Sequence, residues 1–156
     1  MEIYLSLGSN LGDRRKNILA AISGLETFFS RPPSASSEIL EFPSWGFDAP
    51  DFLNCVVRFD VPDCGVSPYL YAHAMLREAK RLESQAGRPN LPLYSPEGER
   101  VYHNRTIDID ILFIGNESIK SQDLTIPHPF IGQRDFVKVP LREVMTENLV
   151  IAGEYR

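Results

Sequence analysis

The stretch from His103 to Gly115 reads HNRTIDIDILFIG. Ile107, Ile109, Ile111 and Phe113 give it the β-branched and aromatic content of a core strand, and a glycine bounds it. Successive side chains of a strand point to opposite faces, so Asp108 and Asp110 share the face that the isoleucines avoid. Neighbouring carboxylates on a half-buried face repel and raise each other's pKa unless a cation sits between them. Any fold this chain adopts must therefore bury one side of the strand and give the other either water or a positive partner. For an isolated D-x-D, solvation is the default. Here Arg88, Arg105 and Arg134 bracket the element, and guanidinium groups suit phosphate oxygens, so the pattern points to Mg²⁺ with a polyphosphate. Mg²⁺ takes one or two carboxylates and completes its shell with water and substrate oxygens. Zinc fits less well, because His73, His103 and His128 have no zinc-site spacing with the two cysteines.

The other elements can be read around this strand. EIYLSLG alternates and ends in glycine; SNLGD supplies helix-start chemistry, and Ile18, Ile22, Leu25 and Phe29 recur at helical spacing. SSEILEF and FLNCVVRFDV read as two strands joined by PSWGFDAPD. Ser67–Pro68 is an N-cap and first-turn pair opening a helix that ends near Gly87, with Tyr71, Ala74, Met75 and Leu82 as its buried stripe. A loop rich in proline, glycine and charge then runs to Asn104. The order β-α-β-β-α-β predicts an α+β fold, a ferredoxin-like split βαβ antiparallel sheet with two helices on one face, and PLREV from Pro140 adds a short C-terminal helix.

The 156 residues suffice for one core, so residues 1–156 are read as a single domain. No apolar run approaches a membrane span, and the first residues enter a strand pattern with no basic start or cleavage site; the expectation is a cytoplasmic protein with reduced thiols at Cys55 and Cys64. A net charge of −5 argues against general affinity for nucleic acid. P-loop and dinucleotide glycine motifs are missing. Two other classes stay open at this point: a single-stranded nucleic-acid binding module on a split βαβ sheet, and a metal-dependent nucleotidyltransferase using the same D-x-D chemistry.

YLSLGSNLGD, DFLN, RTIDIDILFIG and LTIPHPFIGQRDFVKVPL occur in this order along nearly the whole chain. In these motifs the chain resembles the 6-hydroxymethyl-7,8-dihydropterin pyrophosphokinases of folate biosynthesis. The resemblance implies transfer of a pyrophosphoryl group from ATP to the pterin hydroxymethyl oxygen by a monomer, with AMP released and two Mg²⁺ ions bound with ATP. It makes Asp108 and Asp110 the metal ligands and catalytic residues together with Arg88 and Arg105. Glu83, Arg88, Arg105, His128 and Arg134 would bind ATP; Pro43, Trp45, Phe52, Asn54 and Phe136 would bind the pterin. The loop 88–104 lacks lysine and carries Tyr102 where many members have tryptophan, and Pro129 stands where some have an aromatic residue. This loop and the SWGF connection are expected to close over bound substrates and exclude water.

Overall fold

The computed structural model describes residues 1–44, 49–87, 94–99, 101 and 104–156. Trp45, Arg88 and Tyr102, with most of the loop and connection expected to close over substrates, lie outside the described residues. Three strands form the centre: β1 (Glu2–Ser9), β4 (Phe52–Asp60) and β5 (Asp108–Ile114). β1 runs antiparallel between the other two over almost its whole length, while the short strands β2 (Ala35–Ser36) and β3 (Leu40–Phe42) both pair with β4. The sheet order is β2-β4-β1-β5, with β3 also on β4. The chain is a mixed α and β protein with an antiparallel sheet.

The stretch SSEILEF, expected as one strand, is broken into β2 and β3. The cause is Ser37, whose Oγ accepts the Val56 N–H at 2.9 Å and donates to the Glu38 carbonyl, putting a side chain where a regular ladder has backbone. Helices α1 (Arg14–Phe29) and α2 (Pro68–Gln85) lie on one face, burying Ile18, Leu25, Met75 and Leu82 against Leu5, Leu7, Val57 and Ile109. Asp13 caps α1, accepting from Lys16 N–H at 3.2 Å, and Ser67 caps α2 as its position before proline predicts.

The opposite face was expected to carry no helix. Instead α3 (Asp135–Val144) covers half of it, packing Val137, Leu141 and Val144 on Tyr4, Val56, Leu112 and Phe113. α3 also starts five residues before Pro140, which sits buried inside it rather than at its first turn. A register shift in the β1–β5 ladder makes this cover possible. Tyr4 faces Phe113 and Leu5 faces Ile111, so Leu112 is an extra residue, and Leu112 and Phe113 both join the α3 face. Their apolar surface ends where Asp110 begins.

Candidate active site

The uncovered half of that face is built from rows of side chains crossing the sheet. One row pairs Leu40 with Asn54, Asn54 with Gly8, and Gly8 with Asp108; the next pairs Val56 with Ser6 and Ser6 with Asp110. Both aspartates are thus side by side on the strand at the sheet's edge, half-buried, while Ile109 between them is buried on the other face. Asn54 and Phe52 stand on β4, and β1 between them carries only Gly8 and Ser6. Strand spacing makes the gap between the Asn54 and Asp108 backbones about 10 Å. The gap is kept open by the glycine: a Cβ on Gly8 would meet Asn54 Oδ1 at 2.6 Å and Phe52 Cδ1 at 3.4 Å.

His128 and Arg134 complete the acidic end. The His128 main chain donates to the Leu112 carbonyl at 3.0 Å, bringing its ring within 4.0 Å of Asp110 Oδ1. Burial pushes His128 down to about 4, with Arg134 acting in the same direction and Asp108 opposing. The ring is therefore neutral at pH 7, and its approach to Asp110 is a polar contact rather than an ion pair. Arg134 Nη1 lies 3.8 Å from Asp110 Oδ2, with its guanidinium over the rings of Phe130 at 4.9 Å and Phe136 at 5.5 Å. Phe136, at the start of α3, thus stands beside the acidic end of the site. Phe130 is not among the residues expected in the site; its signal in the sequence is the aromatic spacing in HPFIGQRDF around the arginine.

Arg105 is buried at the entry to β5. Glu83, at the end of α2, accepts a hydrogen bond from the Ile109 N–H at 2.9 Å, satisfying the outward amide of an edge strand midway between the two aspartates. Asn54 is 3% exposed, and its buried Nδ2 finds no hydrogen-bond partner among the described residues. A buried amide donor without an acceptor costs on the order of 1–3 kcal/mol, which a ligand could recover. Pro43 is exposed just beyond β3, and Trp45 and Arg88 belong to segments not described. In the sequence, Asn10 and Gly8 mark only a helix start and a strand end. Asn10 is buried and hydrogen-bonded to the segments before β4 and β5, and Gly8 lies between Asn54 and Asp108, positions the short motif GSN signals only once the strands on both sides are known.

A family model described as 7,8-dihydro-6-hydroxymethylpterin-pyrophosphokinase matches residues 4–146. The chain belongs to this family. It is 38% identical over 144 residues to the 2-amino-4-hydroxy-6-hydroxymethyldihydropteridine pyrophosphokinase of Porphyromonas gingivalis, covering 91% of this chain and 89% of that one. It is 37% identical over 155 residues to the protein of the same name from Aquifex aeolicus, covering 99% and 85%. It is also 34% identical to the mitochondrial folate synthesis bifunctional protein of Pisum sativum, where the match covers 92% of this chain and 25% of the longer protein. This chain is accordingly a pyrophosphokinase, a diphosphotransferase of folate synthesis. Among the described residues no helix is long and apolar enough to cross a membrane.

Proposed function

We propose that the enzyme transfers the terminal pyrophosphoryl group of ATP to 6-hydroxymethyl-7,8-dihydropterin in a Mg²⁺-dependent reaction. The pterin hydroxymethyl oxygen forms a bond to the β-phosphorus, the bond from that phosphorus to the oxygen bridging the α-phosphate breaks, and AMP leaves with the bridging oxygen. The hydroxyl proton passes to solvent. The observation that carries this reading is the pairing of two carboxylates, Asp108 and Asp110, with the buried Asn54 Nδ2, which has no hydrogen-bond partner among the described residues, across Gly8.

The donors suit Mg²⁺. Asp108 and Asp110 offer hard oxygens from one face, and among the described residues no group of three or more His, Cys, Asp and Glu forms a cage, leaving the remaining positions for water and phosphate. Bound there, Mg²⁺ would neutralise phosphate oxygens and align the transferring group; the family pattern supports two ions, both carried in with ATP. Asp108 and Asp110 hold their oxygens toward that position because β5 is locked to β1 on one edge and to Glu83 on the other. Arg134, desolvated against two phenylalanine rings, supplies a fixed positive charge beside Asp110. Arg105, Arg88, His128 and Glu83 are assigned to ATP from the matched motifs. Asn54 would bond an edge of the pterin while Phe52, Phe136, Trp45 and Pro43 enclose its faces. A single domain on a ferredoxin-like split βαβ sheet, a monomer working in the cytoplasm on two small molecules, completes the proposal; the strand order around β1 and β4 supports the first part.

The test is the nucleotide product. Incubation with ATP, Mg²⁺ and the pterin is expected to give pterin-dependent AMP and a pterin diphosphate seen by phosphorus NMR. ADP in place of AMP, or AMP formed equally without pterin, would refute the reading.

A further inference from the structure

We infer that Asn10 is a positioning residue that couples the pterin side of the site to the nucleotide side; the inference rests on the function proposed above. Asn10 follows the last residue of β1 and is 3% exposed. Its Nδ2 donates to the Pro50 carbonyl at 3.2 Å and to Asn104 Oδ1 at 2.9 Å, its Oδ1 accepts from the Arg105 N–H at 2.6 Å, and its own N–H donates to the Arg105 carbonyl at 2.9 Å. Both side-chain donor hydrogens and the side-chain acceptor are used, on two segments distant in sequence.

Those segments lead to opposite halves of the site. Pro50, whose carbonyl also accepts from Ser44 Oγ at 2.7 Å, stands two residues before Phe52 and four before Asn54. Asp51 between them is tied by its carbonyl to Arg14 Nη1 at 3.0 Å. Arg105 stands three residues before Asp108. A primary amide is planar, so the directions of its two N–H bonds and its carbonyl are fixed relative to one another. If the segment at Arg105 shifts, the amide must turn to follow it, and the bond to Pro50 changes direction. Asn10 hydrogen-bonds both segments at once. Binding on one side then alters affinity on the other, and linkage requires the effect to be reciprocal.

The experiment is calorimetric titration of the full chain with 6-hydroxymethyl-7,8-dihydropterin and with Mg²⁺ plus α,β-methylene-ATP, each alone and each with the other present. For the native chain the coupling factor is expected to be about tenfold or more, within the usual range for linked sites. In Asn10→Ala it should fall to within about twofold of unity, while each ligand alone loses much less affinity. The Arg105 amide resonance should shift on pterin binding in the native chain and stay in place in the variant. Asn104→Ala removes one acceptor on an exposed side chain, leaves the core untouched, and should reduce coupling even if Asn10→Ala does not fold. Undiminished coupling in either folded variant, or no coupling in a native chain that makes AMP, overturns the inference. A native chain that makes no AMP fails the proposed function instead.

Discussion

Two residues beside the aspartates carry predictions at the scale of single side chains. Gly8 gives no side chain to the row between Asn54 and Asp108, and a methyl there would press on Asn54 Oδ1 and Phe52. Gly8→Ala should therefore raise KM for the pterin by about tenfold or more, the size of an overpacking cost of about 1–3 kcal/mol, and leave KM for ATP nearly unchanged; steady-state kinetics with each substrate varied would check the split. Glu83 presents a different choice. If its hydrogen bond to the Ile109 N–H holds the two aspartates in place, Glu83→Gln, which keeps an acceptor, should retain most of kcat, whereas Glu83→Ala should lower kcat by about tenfold and speed amide exchange at Ile109. A rise in KM for ATP alone in both variants would instead make Glu83 a nucleotide contact with no positioning role. The neutral state of His128 belongs to the same scale: burial, reinforced by Arg134, removes its proton at pH 7, so it meets Asp110 as a dipole.

At the level of elements, the site depends on how three helices hold one sheet. Gly24 of α1 faces Leu82 of α2, and an added Cβ there would run into Leu82 Cδ2. Gly24→Ala gains up to about 1 kcal/mol of helix propensity and loses about 1–3 kcal/mol to overpacking, so urea denaturation should show a net loss of about 1 kcal/mol with an unchanged slope. Much of this architecture could be read from the sequence, because period-2 alternation in β1 and β5, the β-branched and aromatic content of β4 and the Ser67–Pro68 start of α2 are local signals that the packing preserves. The paired aspartates were legible for the same reason. α3 was not, since Pro140 resembles a first-turn residue and the earlier start is set by Arg134, whose carbonyl accepts from Val137 and Lys138 at 3.0 and 2.9 Å. Nor was the extra residue at Leu112, because an apolar run reads alike on either face of a sheet. Asn10 was hidden for a third reason: its partners lie 40 and 94 to 95 positions away, so nothing in its neighbourhood distinguishes it from a helix cap.

Across the whole molecule, one sheet separates two apolar layers, and the acidic site occupies the part of one face that α3 leaves open. The thiols report on the integrity of that arrangement. Cys55 is a β4 residue buried on the face that α1 and α2 cover, and burial pushes its thiol up to about 12, while Cys64 is exposed. A colorimetric thiol reagent at pH 8 should modify one cysteine per native chain and two in denaturant, and two fast thiols in the native chain would contradict the packing of the helical layer. The metal tests the account most directly. Mn²⁺, used as a paramagnetic stand-in for Mg²⁺ and titrated with α,β-methylene-ATP while bound metal is followed by electron paramagnetic resonance, should bind the native chain in the presence of nucleotide. In the double variant Asp108→Asn, Asp110→Asn, with circular dichroism unchanged, the affinity should fall by about tenfold or more. Equal affinity in the two proteins would mean that the paired carboxylates of β5 do not hold the metal, and the reading of this site would be wrong.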